Sequence, residues 1–417
     1  MKALILSTYD IEGGAARACH RLHQGLQAIR IDSQMLVQFK AANTPTIIAP
    51  KTNLAASIAK ARITFDSLPL KLYPKRQNTT FSPQCLPDSS LKQINQINPD
   101  IINLHWINAG YIQIETLAKL KKPIVWTLHD MWAFTGGCHY TQGCDRYIGS
   151  CGACPQLGSV SEQDLSRWIW QRKRKSWQNL NLTVVTPSSW LAKCAQASNL
   201  FRDVRVEAIP NGLNTNIYRP LNRQVAREIL QLPAEKRLVL FGASNANDKR
   251  KGFHLLQSAL QSLGATEWKE HLELVVFGAS EPSKENSLPF KTHYLSTVSD
   301  DISLSLIYAA ADVFIAPSLE DNLPNTILEA SACGTPSVAF GIGGMPDMIE
   351  HQINGYLAKP YEVQDLANGL VWVLENPERH QKLAEQSRNT VLKHFNYEVQ
   401  AKKYSMLFQE LINKLRS

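Results

Sequence analysis

The stretch DVFIAPSLEDNLPNTILEASACGTPSVAFG, residues 312–341, contains two short apolar runs with one helix-like segment between them. Pro324 suits the first turn of that helix, Gly334 suits its end, and Pro336 stops it before the second run. A strand, a helix and a second buried strand form the repeating unit of a parallel α/β sheet. The stretch therefore predicts one βαβ unit.

Runs of the same kind recur along the rest of the chain. Those of the first half are ALILSTY, SQMLVQF, DIINLHW, PIVWTLH, LTVVTPS and RVEAIPN, and those of the second half include RLVLFGAS and LELVVFG. Helix-like segments such as ARACHRLHQGLQAI and GFHLLQSALQSL lie between them, which indicates sheets covered by helices on both faces. The pattern predicts the α/β class, with two Rossmann-like doubly wound domains.

The chain has 417 residues, enough for two domains at roughly 150 residues each. We expect the boundary near IPNGLN, which separates a first domain, 1–209, from a second, 210–396. Residues 397–417 are amphipathic and could pack as a helix on either domain, including back on the first. Within the first domain, 41–90 is rich in Pro, Ser and Asn and is expected to be irregular, while 136–158 forms a Cys-rich insert.

Positive charge is concentrated in the first half of the chain. Residues 1–210 carry 24 Lys and Arg against 13 Asp and Glu, whereas the remainder carries 20 against 23. A basic half of this kind should face a membrane surface or nucleic acid. The alternative is that its charges are only solvated at the surface. No apolar run approaches the roughly 18 to 20 residues that span a bilayer. The apolar run at the start of the sequence is too short to form the core of a secretory signal. We therefore expect a cytoplasmic protein.

Two motifs could bind a diphosphate. Gly13 and Gly14 follow a strand and open a helix, where backbone N–H groups favour an anion, although a tight turn needs glycine anyway. Arg250 and Lys251 stand just before a helix of the second domain. Two cations at the carboxyl end of a strand suit a diphosphate, and the alternative is solvated surface charge.

Two carboxylates belong to the βαβ unit itself. Asp321 precedes its helix and Glu329 lies within it, so both should lie near the carboxyl edge of the sheet, where open α/β sheets bind ligands. A carboxylate accepts two hydrogen bonds side by side, which matches the vicinal hydroxyls of a ribose or hexose. Glu329 stands between Leu328 and Ala330, where an unpaired charge costs several kcal/mol. A ligand diol and the amides at the helix start could satisfy it.

The block SLEDNLPNTILEASACGTPSVAFGIGGMPDMI, followed by NGYL, resembles the donor-binding segment of group 1, or family 4, retaining glycosyltransferases of the GT-B fold. Further motifs of that family occur in the same order: a Gly-Gly turn at 13–14, TLHD at 127–130, PNGLN at 210–214 and KG at 251–252. The resemblance therefore covers most of the chain, and it implies two domains facing a cleft.

The resemblance also implies a role for each matching residue of the second domain. Glu329 would bind the ribose of a nucleotide sugar, and Asp321 would hold hydroxyls of the transferred sugar. Lys251, helped by Arg250, would stabilise the leaving diphosphate.

Three other contributions are implied in the same way. The backbone of Asn325 and Thr326 at the helix start would add to the stabilisation of the diphosphate. His129 would face the sugar across the cleft, and Gly14, next to Gly13, would close over the phosphates.

Three positions depart from the family pattern. Asp321 stands where the family has Glu, with Glu320 beside it as an alternative register. Ala243 follows the glycine of a strand where many members have Arg, and Asn214 stands where Asp is common. These departures affect the sugar contacts and the diphosphate clamp and leave the reaction class unchanged.

The expected activity is retaining transfer of a hexose from a UDP-, GDP- or ADP-sugar to a saccharide or lipid-linked saccharide, in exopolysaccharide, O-antigen or related glycan synthesis. The sequence has no Asp-x-Asp triplet, so no cofactor is expected for catalysis. One alternative is a non-catalytic nucleotide-sugar-binding module. Another is a sugar-nucleotide epimerase, for which only Asp130 and Asp321 offer an acid and a base. A nucleic-acid binder would leave the motifs of the second domain without a role, so we expect no nucleic-acid partner.

The Cys-rich insert, TGGCHYTQGCDRYIGSCGACPQLG, could hold a structural zinc through Cys138, Cys144, Cys151 and Cys154. Free or redox-paired thiols are the alternative. The insert is similar to those of colanic-acid and exopolysaccharide glycosyltransferases, which favours a lipid-linked acceptor.

The stretch SRWIWQRKRKSW, residues 166–177, mixes three tryptophans with five cationic residues. As a helix it could lie on an anionic leaflet with its rings, Trp168, Trp170 and Trp177, at headgroup depth. The alternative is a partly buried helix with a solvated face. Together with the basic first domain, the stretch predicts peripheral association with the inner face of the cytoplasmic membrane.

Overall fold

In a computed structural model the protein is described at residues 1–50, 52–242, 248–278, 288–295, 298 and 300–416. The chain divides into two compact units, Met1–Asn211 with Gln400–Ser417, and Gly212–Val399. The domain limits expected from the sequence lie within three residues of this division. Among the described residues no helix combines the length and apolar character needed to cross a membrane.

The first unit is built on a seven-stranded parallel sheet with the order β3-β2-β1-β4-β5-β6-β7. Its strands are β1 Lys2–Tyr9, β2 Asp32–Phe39, β3 Ile47–Ile48, β4 Ile101–Leu104, β5 Ile124–Thr127, β6 Leu182–Thr186 and β7 Arg205–Ala208. Its helices are α1 Gly14–Ala28, α2 Asn53–Asp66, α3 Ser90–Ile97, α4 Leu165–Trp177 and α5 Ser189–Ala197. Short 3-10 helices span Leu68–Leu72, Ile114–Lys119, Trp132–Phe134, Arg146–Ile148 and Pro155–Leu157.

The second unit is built on a six-stranded parallel sheet with the order β10-β9-β8-β11-β12-β13. Its strands are β8 Arg237–Gly242, β9 Leu272–Phe277, β10 Thr292–Leu295, β11 Val313–Ala316, β12 Ser337–Phe340 and β13 Gly355–Ala358. Its helices are α6 Arg223–Ile229, α7 Phe253–Gly264, α8 Asp301–Ala310, α9 Asn325–Ala332, α10 Val363–Leu374 and α11 Pro377–His394. Short 3-10 helices span Lys249–Lys251, Glu267–Glu270 and Met345–Asp347, and the last helix of the chain is α12 Tyr397–Arg416.

The strand orders confirm two Rossmann-like doubly wound domains. In each sheet the order reverses once, between β1 and β4 in the first unit and between β8 and β11 in the second. Open α/β sheets bind their ligands outside the carboxyl ends of the strands at such a reversal. The loops that follow these four strands are therefore where a site is expected.

The βαβ unit of residues 312–341 forms as predicted. Pro324 is the N-cap residue of α9, and the helix ends at Ala332. Gly334 then has a φ of 77°, a left-handed conformation that glycine adopts at little cost. Pro336 follows this turn, and β12 begins at Ser337 directly after it.

The last helix, α12, packs against the first unit. Its buried side chains share one hydrophobic core with residues of β1, β2 and α1, and they are Ala401, Tyr404, Leu407, Phe408, Leu411 and Ile412. An ion pair between Arg205 of β7 and Glu410 also connects the helix to the sheet. Of the two packing partners that the amphipathic pattern allowed, α12 thus uses the first unit.

Four elements differ from the expectation. The strands β3, β10 and β13 were not predicted, because β3 has only two residues and β10 shows no alternation of buried and exposed positions. The prediction that residues 41–90 are irregular was wrong in part, since they include the fourteen-residue helix α2. Only Ala59 and Asp66 of α2 are buried, so the helix lacks the core-facing apolar stripe by which a surface helix is usually recognised.

The helix α4 is partly buried, and two of the three rings expected at headgroup depth lie inside the first unit. Trp170, Lys173 and Trp177 are buried, while Trp168 is 45% exposed. The Lys173 ammonium lies 3.6 Å from the centre of the Trp132 ring and donates hydrogen bonds to the carbonyls of Trp132 and Thr135. Most of the aromatic surface of α4 therefore stabilises the first unit, as in a partly buried helix with a solvated face.

Candidate active site

Three predicted residues of the second unit form one cluster. Lys251 Nζ lies 2.6 Å from Asp321 Oδ2, and Arg250 Nη1 lies 3.3 Å from the same oxygen. Lys251 ends a 3-10 turn that follows β8, and Asp321 lies in the loop that follows the adjacent strand β11. The cluster therefore lies at the reversal of strand order in this sheet.

Burial and charge act in opposite directions on Asp321, which is 6% exposed. Burial alone would raise the pKa of its carboxyl, but the charges of Lys251 and Arg250 outweigh burial and lower the pKa to about 2. The backbone N–H of Asn322 also donates to Asp321 Oδ1 over 3.0 Å. The carboxylate therefore stays ionised at neutral pH.

The backbone holds the two loops of the cluster together. The N–H of Leu319 donates to the carbonyl of Arg250 over 2.7 Å, and Arg250 Nη1 donates to the carbonyl of Glu320 over 2.9 Å. Gly252 has a φ of +69°, and a Cβ placed there would lie 1.9 Å from the carbonyl oxygen of Pro317. Only glycine allows this approach of Lys251 to the loop of Asp321.

Glu329 has a partner that was not predicted from the sequence. Its side chain is buried, and the hydroxyl of the buried Tyr308 donates to Glu329 Oε2 over 2.9 Å. Tyr308 lies on α8, twenty-one residues before Glu329, and nothing in the local sequence pairs the two. The carboxylate is thus partly satisfied by the protein itself.

We expect Tyr308→Phe to lower the free energy of unfolding by about 1 to 3 kcal/mol, because it removes a donor from a buried carboxylate. The matched control is Tyr218→Phe, whose lost hydroxyl donates to Asp301, a half-buried residue. Urea unfolding should show the larger loss for Tyr308→Phe. Equal losses for the two variants would contradict the importance of the Tyr308–Glu329 hydrogen bond.

The start of α9 offers backbone donors. Asn325 and Thr326 are its first residues, and its N-cap is Pro324, which supplies no side-chain hydrogen bond to the helix start. Acceptors at such a helix start are favoured by the helix dipole. The stretch between β11 and α9 also contains Asp321, so these amides and the cluster belong to one loop-helix segment.

In the first unit Gly13 and Gly14 lie where β1 passes into α1. Gly13 is the N-cap residue of α1 with a φ of 88°, and apart from its chain neighbours no described residue has an atom within 4 Å of the position of an added Cβ. The backbone conformation therefore requires glycine there, while the space beside it is open. This geometry fits both the turn and the anion-binding interpretations.

His129 is held by a chain of hydrogen bonds at the carboxyl ends of β4 and β5. Its Nε2 lies 2.8 Å from His105 Nδ1, and His105 Nε2 lies 3.0 Å from Asn103 Oδ1. Asn103 Nδ2 donates to the carbonyl of Val125 and to Thr127 Oγ1, each over 3.0 Å. Because Asn103 Oδ1 can only accept, His105 carries its proton on Nε2 and His129 carries its proton on the nitrogen that faces His105.

The chain of hydrogen bonds extends to the last helix. Thr127 Oγ1 lies 2.9 Å from the hydroxyl of Tyr404 in α12, and both groups are buried. Tyr404 and His105, which the sequence did not single out, therefore help to position His129.

We expect His129 to titrate near pH 4. Burial lowers its pKa from the ordinary 6.5 to about 4, and burial also holds the pKa of His105 well below its ordinary value. As the pH falls from 6.5 to 4, the unfolded chain takes up a proton that the folded ring does not, so stability present above pH 6.5 is lost through this window. NMR titration of histidine Cε1–H signals, with His129→Gln for assignment, checks this. A midpoint near 6.5 would contradict it.

Asp130 follows His129, and both of its carboxylate oxygens have hydrogen-bond partners. Asp130 Oδ2 lies 2.7 Å from His139 Nδ1 and accepts a hydrogen bond from Trp106 Nε1 over 3.0 Å, while the N–H of Trp132 donates to Oδ1 over 2.9 Å. Burial would raise the pKa of its carboxyl, but His139 and these hydrogen bonds hold it below the ordinary value. Asp130 thus anchors the loop after β5.

The four cysteines of the insert line one small cavity of about 20 Å³. The backbone N–H of Gly136 donates to Cys151 Sγ over 3.1 Å, and burial raises the pKa of Cys151 to about 12. In the part of the chain that the structure describes, no group of three or more His, Cys, Asp or Glu side chains is placed to hold a metal ion. The cavity gathers the predicted ligands, Cys138, Cys144, Cys151 and Cys154, without a metal-binding geometry.

Ala243 and Asn214 are the other two departures from the family pattern. Ala243 lies outside the described residues. Asn214 caps its own turn, because its Oδ1 accepts from the N–H of Asn216 over 3.0 Å.

Two family models match consecutive parts of the chain. "Glycosyltransferase Family 4" matches residues 12–217, and "Glycosyl transferases group 1" matches residues 222–390. A D-inositol 3-phosphate glycosyltransferase of Thermobispora bispora is 28% identical over 186 residues, which are 42% of this chain and 44% of that protein. The enzyme of the same name from Mycobacterium tuberculosis is 23% identical over 286 residues, 65% of this chain and 53% of the other. The chain thus spans about half the length of these relatives.

Solved structures share the fold at low identity. The sucrose-phosphate synthase of Thermosynechococcus elongatus has a TM-score of 0.72 and 19% identity, over 99% of this chain and 100% of the other. The Anabaena protein HepE, in complex with UDP-glucose, has a TM-score of 0.64 and 17% identity, over 98% and 100%. At these identities the similarity shows the GT-B fold alone. With the two family models it shows that the chain belongs to the group 1 / family 4 glycosyltransferases.

Proposed function

We propose that this protein is a retaining glycosyltransferase that moves a hexose from a nucleotide-sugar donor to a saccharide or lipid-linked saccharide. The observation that supports this best is the cluster of Lys251, Arg250 and Asp321 at the reversal of strand order, in the same segment as the start of α9. It combines two cations for a diphosphate with a carboxylate for sugar hydroxyls.

In the proposed reaction, the bond between the anomeric carbon and the diphosphate oxygen breaks as the acceptor oxygen attacks from the same face. The proton of the acceptor hydroxyl passes to the departing phosphate oxygen. Lys251, Arg250 and the amides of Asn325 and Thr326 stabilise the charge that develops on the diphosphate, a preorganised electrostatic contribution. A diphosphate would compete with Asp321 for Lys251, which leaves Asp321 Oδ2 to accept hydrogen bonds from the sugar.

No cofactor is proposed for this chemistry, because protein cations and helix amides can meet the charge of the diphosphate. Turnover should then be unchanged by a chelator. The structural zinc at the cysteine cavity stays a separate prediction, and a zinc content near one per chain after unfolding would support it.

The donor proposed first is a UDP-sugar, since HepE of the same fold is complexed with UDP and with UDP-glucose. GDP- and ADP-sugars are the alternatives. For the acceptor, the relatives are named D-inositol 3-phosphate glycosyltransferases, so inositol phosphate is the competing candidate to a saccharide or lipid-linked saccharide of glycan synthesis. The proposed location is the cytoplasm, with peripheral attachment to the membrane.

The epimerase alternative is poorly supported by the carboxyl groups. The pKa values of Asp130 and Asp321 are both held below their ordinary range, so neither carries the proton that an epimerase acid donates at neutral pH. A non-catalytic nucleotide-sugar-binding module differs from the transferase only in having no turnover of the donor, so a turnover measurement distinguishes the two.

Thermal unfolding with UDP-, GDP- and ADP-sugars tests donor binding, because a ligand that binds only the folded state raises the melting temperature. We expect one nucleotide class to raise it, and Lys251→Ala to weaken that effect. NMR of the glycoside formed with that donor should then show the anomeric configuration of the donor sugar. An inverted product would overturn retention, and donor binding without any product or hydrolysis would favour the non-catalytic module.

A further inference from the structure

The helix α2 is attached to the first unit by one narrow side. Ala59 and Asp66 are its buried residues, and the Asp66 carboxylate accepts from the N–H groups of Gln84 and Cys85 over 3.1 and 2.6 Å. Arg62 Nε donates to the carbonyl of Gly110 over 2.7 Å. These contacts fix which side of α2 faces the protein.

Another side of α2 is apolar and exposed. Leu54 is 72% exposed, Ile58 52% and Phe65 57%. Because they are four and seven residues apart, they lie on one face of the helix, roughly 100° around the axis from the buried side. The 3-10 helix that follows adds Leu68 at 41% and Leu72 at 81% exposed. We call these five side chains the 54–72 surface.

The exposed charged residues of the same segment, 52–76, have one sign. Lys60, Lys71, Lys75 and Arg76 are all exposed. The one acidic residue between Thr52 and Arg76 is Asp66, which is buried and bonded to backbone N–H groups. Exposed apolar side chains and exposed cations in one segment match the interface of an anionic bilayer, where the apolar side chains enter the headgroup region and the cations meet lipid charge.

We propose that the 54–72 surface docks the first unit on an anionic lipid bilayer. A monomer in water rarely leaves several large apolar side chains exposed in one short segment. The charge complementarity selects lipid over an apolar protein groove, since the exposed cations Lys71, Lys75 and Arg76 of the same segment would have to be matched there as well. This attachment is independent of sugar transfer, and it involves α2 rather than α4.

The test is co-sedimentation of the full chain with vesicles of phosphatidylcholine, with and without phosphatidylglycerol. We expect binding only to the anionic vesicles, with weakening by salt. Ile58→Asp with Phe65→Asp should lower the partition coefficient at least about tenfold, since two apolar anchors become anions. Ile302→Asp, a change at a 76% exposed isoleucine of the second unit, is the matched control and should bind like the parent.

Three outcomes would overturn the proposal: no sedimentation of the parent with anionic vesicles, equal sedimentation of the double variant, or loss of binding through Trp168→Asp in α4 instead. Sedimentation-velocity analysis without lipid identifies a second copy as the occupant if the parent is a dimer and the double variant a monomer. Melting temperature and its rise with donor sugar, measured for the double variant, should equal those of the parent. The membrane proposal can therefore fail while the transferase proposal holds, and the reverse.

Discussion

Lys251→Ala should lower kcat about 10²- to 10³-fold, the effect typical of removing one preorganised donor to a developing negative charge. Lys251 Nζ lies 2.6 Å from Asp321, and the alanine variant leaves Arg250 as the remaining cation of the cluster. The fold should survive, because the Lys251 side chain is 29% exposed and lies at a loop rather than in a core. Steady-state turnover of the donor, with the melting temperature as a check on folding, measures this.

Lys249→Ala is the matched control for that variant. Lys249 belongs to the same 3-10 turn and is exposed. Its substitution by alanine therefore removes the same charge from the same segment and leaves the Lys251–Asp321 ion pair in place. Turnover of Lys249→Ala should stay within about twofold of the parent, because water and salt screen the charge of an exposed ammonium. Equal losses of turnover in the two variants would show that Lys251 contributes only its charge to the segment and not a specific contact in the cluster.

Gly252→Ala should lower the free energy of unfolding by about 3 kcal/mol or more. Its Cβ would lie 1.9 Å from the carbonyl oxygen of Pro317, so one of the two loops must move. Since these loops carry Lys251 and Asp321, turnover should fall together with stability. Urea unfolding and turnover are the two measurements.

Gly143→Ala separates the steric effect from the backbone effect. Gly143 has a φ of +82°, similar to that of Gly252, but among the residues that the structure describes, its chain neighbours aside, none has an atom within 4 Å of an added Cβ. It should cost about 1 to 2 kcal/mol, the penalty of a left-handed conformation alone. A loss for Gly252→Ala no larger than that for Gly143→Ala would show that the loop after β11 yields easily.

The sequence placed Lys251 and Asp321 at the same edge of one sheet without predicting their ion pair, and it gave no indication that Glu329 meets Tyr308. Lys251 and Asp321 follow strands at the carboxyl edge of one parallel sheet, and the topology of such sheets brings those ends together. Tyr308 reaches Glu329 from a neighbouring helix, and that contact depends on how α8 and α9 pack. The same holds for Tyr404 and His105 behind His129.

The basic aromatic stretch 166–177 shows where pattern reasoning fails. Its composition suits a membrane surface, yet Lys173 is buried against the Trp132 ring and two backbone carbonyls. Conversely, the exposed apolar side of α2 lies in a segment expected to be irregular. Composition alone does not tell which side of a helix the rest of the chain covers.

The sequence by itself determined the α/β class, ten of the thirteen strands described, the βαβ unit of residues 312–341 and the family. Periodicity, Pro and Gly positions and motif order are local properties, and they are set by backbone sterics and burial over a few residues. The tertiary structure alone decided that α12 packs on the first unit, that Tyr308 completes Glu329, and that α2 rather than α4 exposes its apolar side. These depend on contacts between residues far apart in the chain, whose energies no short window of sequence contains.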